Sequence, residues 1–170
     1  ARSHGRRTVT LVDIPCFGAP TRVRWRKRTW TCPEPSCPVG VFTEQDTGIA
    51  NPRAMLTTRA CRWATEQVRR EHASIAGLAR QLATTWRTVW TSIEPILARA
   101  AADESRFTGV TTLGVDEHLW HHVSPRKRGP KELTGMVDLT RDKDGRVRAR
   151  LLDLVPGRSG TVYKTWLDQR

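Results

Sequence analysis

The β-prone run Val110-Thr111-Thr112-Leu113-Gly114-Val115 leads directly into two acids, Asp116 and Glu117. A carboxylate at the end of a central strand is a hard oxygen ligand for Mg²⁺, an ion that keeps waters free for phosphate oxygens. Two such ions clamp the attacking and leaving oxygens of a phosphoryl transfer. The competing role of Asp116 is to cap the strand or pair with a basic group. Glu117 points to the opposite face of a strand and has the same competing role. His118, His121 and His122 follow, but without a second ligand set they read as exposed or stacking histidines.

A second constellation is Cys32-Pro33-Glu34-Pro35-Ser36-Cys37. Two thiolates on a Pro-rich knuckle can both reach one tetrahedral Zn²⁺ at about 2.3 Å. They are half a site, and a reduced, unliganded pair is the equal alternative. Cys16 follows Pro15 in an apolar stretch and Cys61 lies in a helical segment, so both read as core. His4 is the remaining nearby donor.

The charge narrows the choice of partner. The 170 residues hold 29 Lys+Arg and 17 Asp+Glu, a net charge of +12, divided evenly as +4 over residues 1–52, 53–106 and 107–170. An even excess argues against a basic tail on a neutral domain and for a polyanion touched along the chain. Arg22, Arg24, Arg26 and Arg28 alternate with Val23, Trp25 and Lys27, which places the arginines on one strand face. Arg24 and Arg26 are therefore candidates to lie along phosphates. A second cluster, Arg126-Lys127-Arg128-Gly129-Pro130-Lys131, has loop composition. There is no run of about 18 apolar residues, so no membrane span is expected. The four Cys do not make a disulfide-dense scaffold.

These residues need elements to position them. Residues 8–14 and 21–31 alternate as strands, with Pro15, Gly18 and Pro20 as breakers. Residues 74–93 carry apolar positions at Ile75, Leu78, Ala79 and Leu82, then at Trp86, Val89, Trp90 and Ile93, the spacing of two helices joined by a short turn. Ser74 is a candidate N-cap for the first, and Thr84 or Thr85 for the second. An earlier helix over residues 53–71 would complete a three-helix unit, burying Met55, Leu56, Ala60, Trp63 and Ala64 or Val68. In a helix-turn-helix the second helix enters the major groove of duplex DNA. Arg87, Thr88 and Thr91 then lie near its start and off its apolar stripe, where Arg87 can meet guanine edges or phosphate. Further on, residues 133–139 and 146–155 read as strands, the latter with Val147, Ala149 and Leu151 alternating inward. Asp144-Gly145 is a turn signal. Residues 161–169 read as a helix with Val162, Trp166 and Leu167 inward. Asn51-Pro52 and the stretch from Pro95 to the alanines at 98–102 mark the boundaries.

The resulting expectation is a multi-part α+β chain: a β-rich segment over 1–50, a helical segment over 53–105, and the start of an α/β layered domain over 107–170. These pieces in this order resemble insertion-sequence transposases of the ISL-three type. The resemblance is carried by the Arg-rich strand running into Cys32 and Cys37, by Phe42-Thr43-Glu44, and by residues 75–89. It is also carried by Gly114-Val115-Asp116-Glu117, residues 133–139 and residues 151–159.

The resemblance implies a zinc finger, a helix-turn-helix and a ribonuclease-H-like domain with a DDE acid triad. It implies that Cys32 and Cys37 are the second half of the finger, that Asp116 is the first acid and a Mg²⁺ ligand, and that Asp138 and Asp153 are not triad positions. The chain then reads as an internal part of a bacterial, cytoplasmic, nucleoid-associated transposase. That enzyme would bind insertion-sequence ends in double-stranded DNA and act as a homo-oligomer in Mg²⁺-dependent strand cleavage and transfer. With the remaining acids and the first Cys pair outside this sequence, the chain alone is expected to be inactive. The alternative is a helix-turn-helix transcription regulator with a non-catalytic second domain.

Overall fold

Phe17 and Gly18 both have positive φ, 50° and 76°, the geometry of a two-residue primed turn whose twist matches the strands it joins. They connect two long antiparallel strands, β1 (Arg2–Cys16) and β2 (Ala19–Thr31), and a short β3 (Val41–Thr43) pairs with the far end of β2. The computed structural model describes residues 1–121 and 129–170, so His122 and the arginines and lysine at 126–128 lie outside the described residues. Both strands continue past the expected breakers. Pro15 and Pro20 flank the turn, and β1 leaves register between Asp13 and Cys16, where a proline removes no regular ladder bond.

The chain divides into two compact units, Ala1–Ala102 and Asp103–Arg170. The first holds the hairpin and three helices: α1 (Thr58–Glu71), α2 (Ile75–Gln81) and α3 (Trp86–Ala101). Their N-caps are Thr57, Ser74 and Thr85, each accepting a backbone N–H three residues on. Helix α1 starts later than residue 53. The Asn51 carbonyl closes a turn with Ala54 N–H, and Arg53 has φ 61°. Met55 is consequently exposed rather than buried. Pro95 lies inside α3 rather than at a boundary.

Leu56, Ala60, Ala64, Leu78, Leu82, Val89 and Ile93 form the core of this unit, with Val12 contributed by β1. The Val12 backbone is fixed at both ends: its N–H donates to the Met55 carbonyl at 2.9 Å, and its carbonyl accepts from Thr57 N–H at 3.0 Å. The small Ala60, Ala64 and Ala79 are what let the helices approach closely. Cys61 packs against this core half-buried, while Cys16 is exposed beside the hairpin turn and is not core.

The second unit is an antiparallel sheet in the order β4-β5-β6, with β4 (Leu113–Leu119), β5 (Glu132–Asp138) and β6 (Arg150–Pro156), followed by α4 (Gly160–Asp168). Met136, Leu152 and Trp166 make its core, with Phe107 and Tyr163 packed against them. Strand β6 starts four residues later than expected and with the opposite face inward. Asp153 opposes Met136 and Leu151 opposes Val137, so Leu152 is an extra residue in the ladder. That bulge turns Leu152 in and leaves Leu151 exposed, because a one-residue slip exchanges the two faces of a strand. Val147 is exposed because it precedes the strand. In α4 Leu167 is exposed and Trp166 takes the inward position, its Nε1 donating to Asp153 Oδ2 at 2.9 Å. Among the described residues no helix is long and apolar enough to cross a membrane.

Candidate nucleic-acid interface

The turn between α2 and α3 is built by Leu82, Ala83 and Thr84. Ala83 adopts the left-handed conformation, φ 46°, and Thr84 N–H reaches back to the Ala79 carbonyl at 2.9 Å. This is the helix-ending pattern that glycine usually serves. It redirects the chain within three residues, and Thr85 at once caps α3 through Thr88 N–H at 3.0 Å.

The first turns of α3 present Arg87, Thr88 and Thr91 outward. Arg87 and Thr91 are exposed and Thr88 is half-exposed. The Thr88 hydroxyl lies 2.8 Å from that of Thr85, and the Thr91 hydroxyl donates to the Arg87 carbonyl at 2.8 Å. Those bonds fix both rotamers. Trp86, assigned to the apolar stripe, is instead half-exposed and stacks on Trp90 with ring centroids 5.8 Å apart. It is the first residue of α3, where the helix has already turned away from the core.

The three residues line one wall of an open groove of about 750 Å³ between α1 and α3. Arg53, Arg62, Arg69 and Arg99 line it as well, and all four are exposed. These groove arginines were missed in the sequence. Arg62 and Arg69, seven residues apart on α1 with Glu66 between them, were the available signal for a shared helix face.

On β2 the expected alternation holds: Arg22, Arg24, Arg26 and Arg28 are exposed and the residues between them are not. Arg22 is nonetheless engaged. Its Nη1 donates to the Leu82 carbonyl at 3.0 Å and its Nη2 to the Ala83 carbonyl at 2.7 Å. It closes the open end of α2 and joins the hairpin to the helix-turn-helix. A second tie is Asp13, fully buried, which accepts from Thr57 Oγ1 at 2.7 Å and takes a two-pronged pair from Arg59. The Arg59 guanidinium, helped by Thr57, holds the Asp13 carboxyl below its usual range against the opposing effect of burial.

The candidate metal ligands are dispersed. Cys32 and Cys37 sit together on the knuckle, with Cys37 N–H donating to the Glu34 carbonyl at 3.1 Å. The backbone N–H of Glu34, and then Cys37, lower the Cys32 thiol from its usual value. Asp116 is exposed on β4, which is an edge of its sheet, and its Oδ1 accepts from Glu117 N–H at 2.9 Å. Among the described residues no three His, Cys, Asp or Glu gather where a metal ion could be held. The donor set at the knuckle is thus two thiols, short of the four a structural zinc takes, and Asp116 offers a single carboxylate. His118 makes an edge contact with Trp120, ring centroids 6.2 Å apart, as a stacking histidine would.

Residues 45–94 match the family model described as the helix-turn-helix domain of transposase family ISL3. The match spans the turn before α1 and all of the helix-turn-helix as far as Glu94. No curated protein and no solved structure matches the chain.

Proposed function

We propose that this chain, whose residues 45–94 match the helix-turn-helix domain of transposase family ISL3, binds the ends of its insertion sequence in duplex DNA by laying α3 in the major groove. The observation that carries the proposal is the presentation of Arg87, Thr88 and Thr91 at the start of a capped helix behind a rigid three-residue turn. That is where a recognition helix meets base edges. Arg87 has the fork to pair with O6 and N7 of guanine, and the threonines can meet either base edge or a thymine methyl. The excess of +12 supplies the non-specific attraction to phosphates.

For the second unit we propose the opening strands of a DDE catalytic domain of ribonuclease-H-like fold, with Asp116 as its first acid. Three antiparallel strands leading into a helix, with Asp116 on the first, support it. Asp138 pairs with Arg150, and Asp153 with Arg106 and Arg170, so both are occupied in structural roles. Mg²⁺ would supply the Lewis acid of such a site. This chain would contribute one oxygen ligand to it.

The test is selection of duplexes from a randomised DNA pool on the purified protein, followed by gel shift of the recovered sequence against an arbitrary one. A preference for the recovered duplex that Arg87→Ala abolishes is the expected result. Absence of any DNA binding by the parent overturns the proposal. Asp116→Asn should leave that binding unchanged, as an exposed strand residue remote in sequence from residues 45–94.

A further inference from the structure

The face of the β1–β2 hairpin that carries the alternate arginines has more positive charge than its own fold uses. Cross-strand partners share a face, and the register pairs Arg28 with Arg6, Arg26 with Thr8 and Arg24 with Thr10. Arg6, Arg24, Arg26 and Arg28 therefore lie together. Two arginines directly opposite each other repel and weaken the hairpin. Arg28 has an acid beside it, since its backbone N–H donates to Glu44 Oε2 at 2.9 Å. Among the described residues no ion pair involves Arg6, Arg24 or Arg26.

The opposite face differs in kind. Lys27 there is buried, donates to Gln45 Oε1 at 2.9 Å and sits 4.0 Å over the Trp25 ring. Its charge is consumed within the protein. Arg7, across from Lys27, is exposed on that opposite face as well, so the bare charge is concentrated on the face of Arg6, Arg24 and Arg26, where three such arginines lie together.

That face begins at the helix-turn-helix itself. Arg22, the first arginine of the row, is bonded to the carbonyls of Leu82 and Ala83, immediately before the cap of α3. From there Arg24 and Arg26 step outward by roughly 6.8 Å each, two residues of an antiparallel strand, which is about two base-pair rises of duplex DNA. The hairpin cannot swing freely, because Val12 is in the helical core and Asp13 is clamped by Thr57 and Arg59.

We infer that the Arg6, Arg24 and Arg26 face of the hairpin lies along the phosphate backbone of the same duplex whose major groove α3 enters, giving a footprint in two parts. This rests on the reading of residues 45–94 as the DNA-binding element. The arginine row meets phosphates and carries no sequence information, so it supplies affinity and orientation while α3 supplies selectivity.

The experiment compares the parent, Arg24→Ala/Arg26→Ala, Arg24→Lys/Arg26→Lys and Arg87→Ala by fluorescence anisotropy over a series of salt concentrations. The probes are the duplex selected from the random pool, an arbitrary duplex of equal length and a duplex RNA. The alanine pair should lose roughly tenfold in affinity on both DNA probes alike, the scale of one or two charge-assisted bonds. It should also flatten the slope of log K against log salt by about one per arginine. The lysine pair should restore the slope, which a folding defect would not do.

Parental affinity and slope in the alanine pair overturn the inference while leaving the recognition helix intact, provided Arg87→Ala still loses selectivity. Loss confined to the selected duplex overturns the backbone role. Hairpin-dependent binding of RNA without DNA overturns it as well. A parent that binds neither DNA overturns both this inference and the reading beneath it.

Discussion

Arg22 Nη2 lies 2.7 Å from the carbonyl oxygen of Ala83, and its Nη1 lies 3.0 Å from that of Leu82. A strand side chain thus neutralises the negative end of helix α2 and braces the turn that aims α3. Arg22→Ala should lower unfolding stability by about 1 kcal/mol, the scale of a partly exposed charge-assisted bond. Amide exchange at residues 82–84 should quicken with it. Arg22→Lys cannot fork to both carbonyls and should recover only part of the loss. Denaturant melts and hydrogen exchange on the three proteins check this, and unchanged exchange at the turn would assign Arg22 to solvent.

Asp13 gives a pH dependence whose sign is set. Arg59 and Thr57 depress its folded pKa below that of the unfolded chain. A depressed carboxyl stabilises the fold fully above the unfolded value, near 3.9 for an aspartate, and the benefit is lost as pH falls through the folded value. Stability should therefore decline below about pH 4 in the parent and decline less in Asp13→Asn. Asp13→Ala should cost about 2 kcal/mol at neutral pH, because it strands the buried Thr57 hydroxyl and opens a gap beside the cap of α1. Urea titrations at a series of pH values provide the comparison.

Arg87→Ala should weaken binding to the selected duplex by about 1–3 kcal/mol if Arg87 pairs with a base, and should relax selectivity at one position. Thr91→Val keeps the shape and removes the hydroxyl, whose present partner is the Arg87 carbonyl. Its effect should be the smaller of the two, since a valine methyl still meets a thymine methyl. Equal losses on every duplex would make Arg87 a phosphate contact.

The helix-turn-helix was legible because three independent signals agree there: apolar period, caps at Ser74 and at Thr84 or Thr85, of which the fold uses Thr85, and a short turn. Local and tertiary preferences coincide in such a segment. The start of α1 was not legible, because Met55 fits the helical period while the chain at Asn51 to Met55 is held as a turn and by β1. The face of β6 was lost to a single bulge at Leu152, which no alternation pattern records. Trp86 looked like core and is not, since periodicity does not say where a helix leaves its neighbours. The arginine alternation gave the right face of β2 but not the special role of Arg22, whose partners are carbonyls 60 and 61 residues away in sequence.

Two of the four thiols, Cys32 and Cys61, should separate by reactivity. Cys32 is half-exposed, and the Glu34 backbone N–H with Cys37 lowers its pKa; Cys61 is half-buried against the helical core, and burial raises its pKa. The thiolate is the nucleophile, so at a pH somewhat below 9 Cys32 holds more of the reactive form and Cys61 less. Timed alkylation followed by peptide mass analysis should therefore mark Cys32 well before Cys61. Zinc should slow the Cys32 reaction only at high concentration. Two thiolates leave two positions to water, so the knuckle lacks most of the roughly 10–16 kcal/mol of a structural site. Removing the pair by Cys32→Ser/Cys37→Ser should leave the melt of the helical core unchanged, because neither cysteine packs in it. Stoichiometric zinc that resists a chromophoric chelator would contradict the two-ligand site and call for further donors near the knuckle.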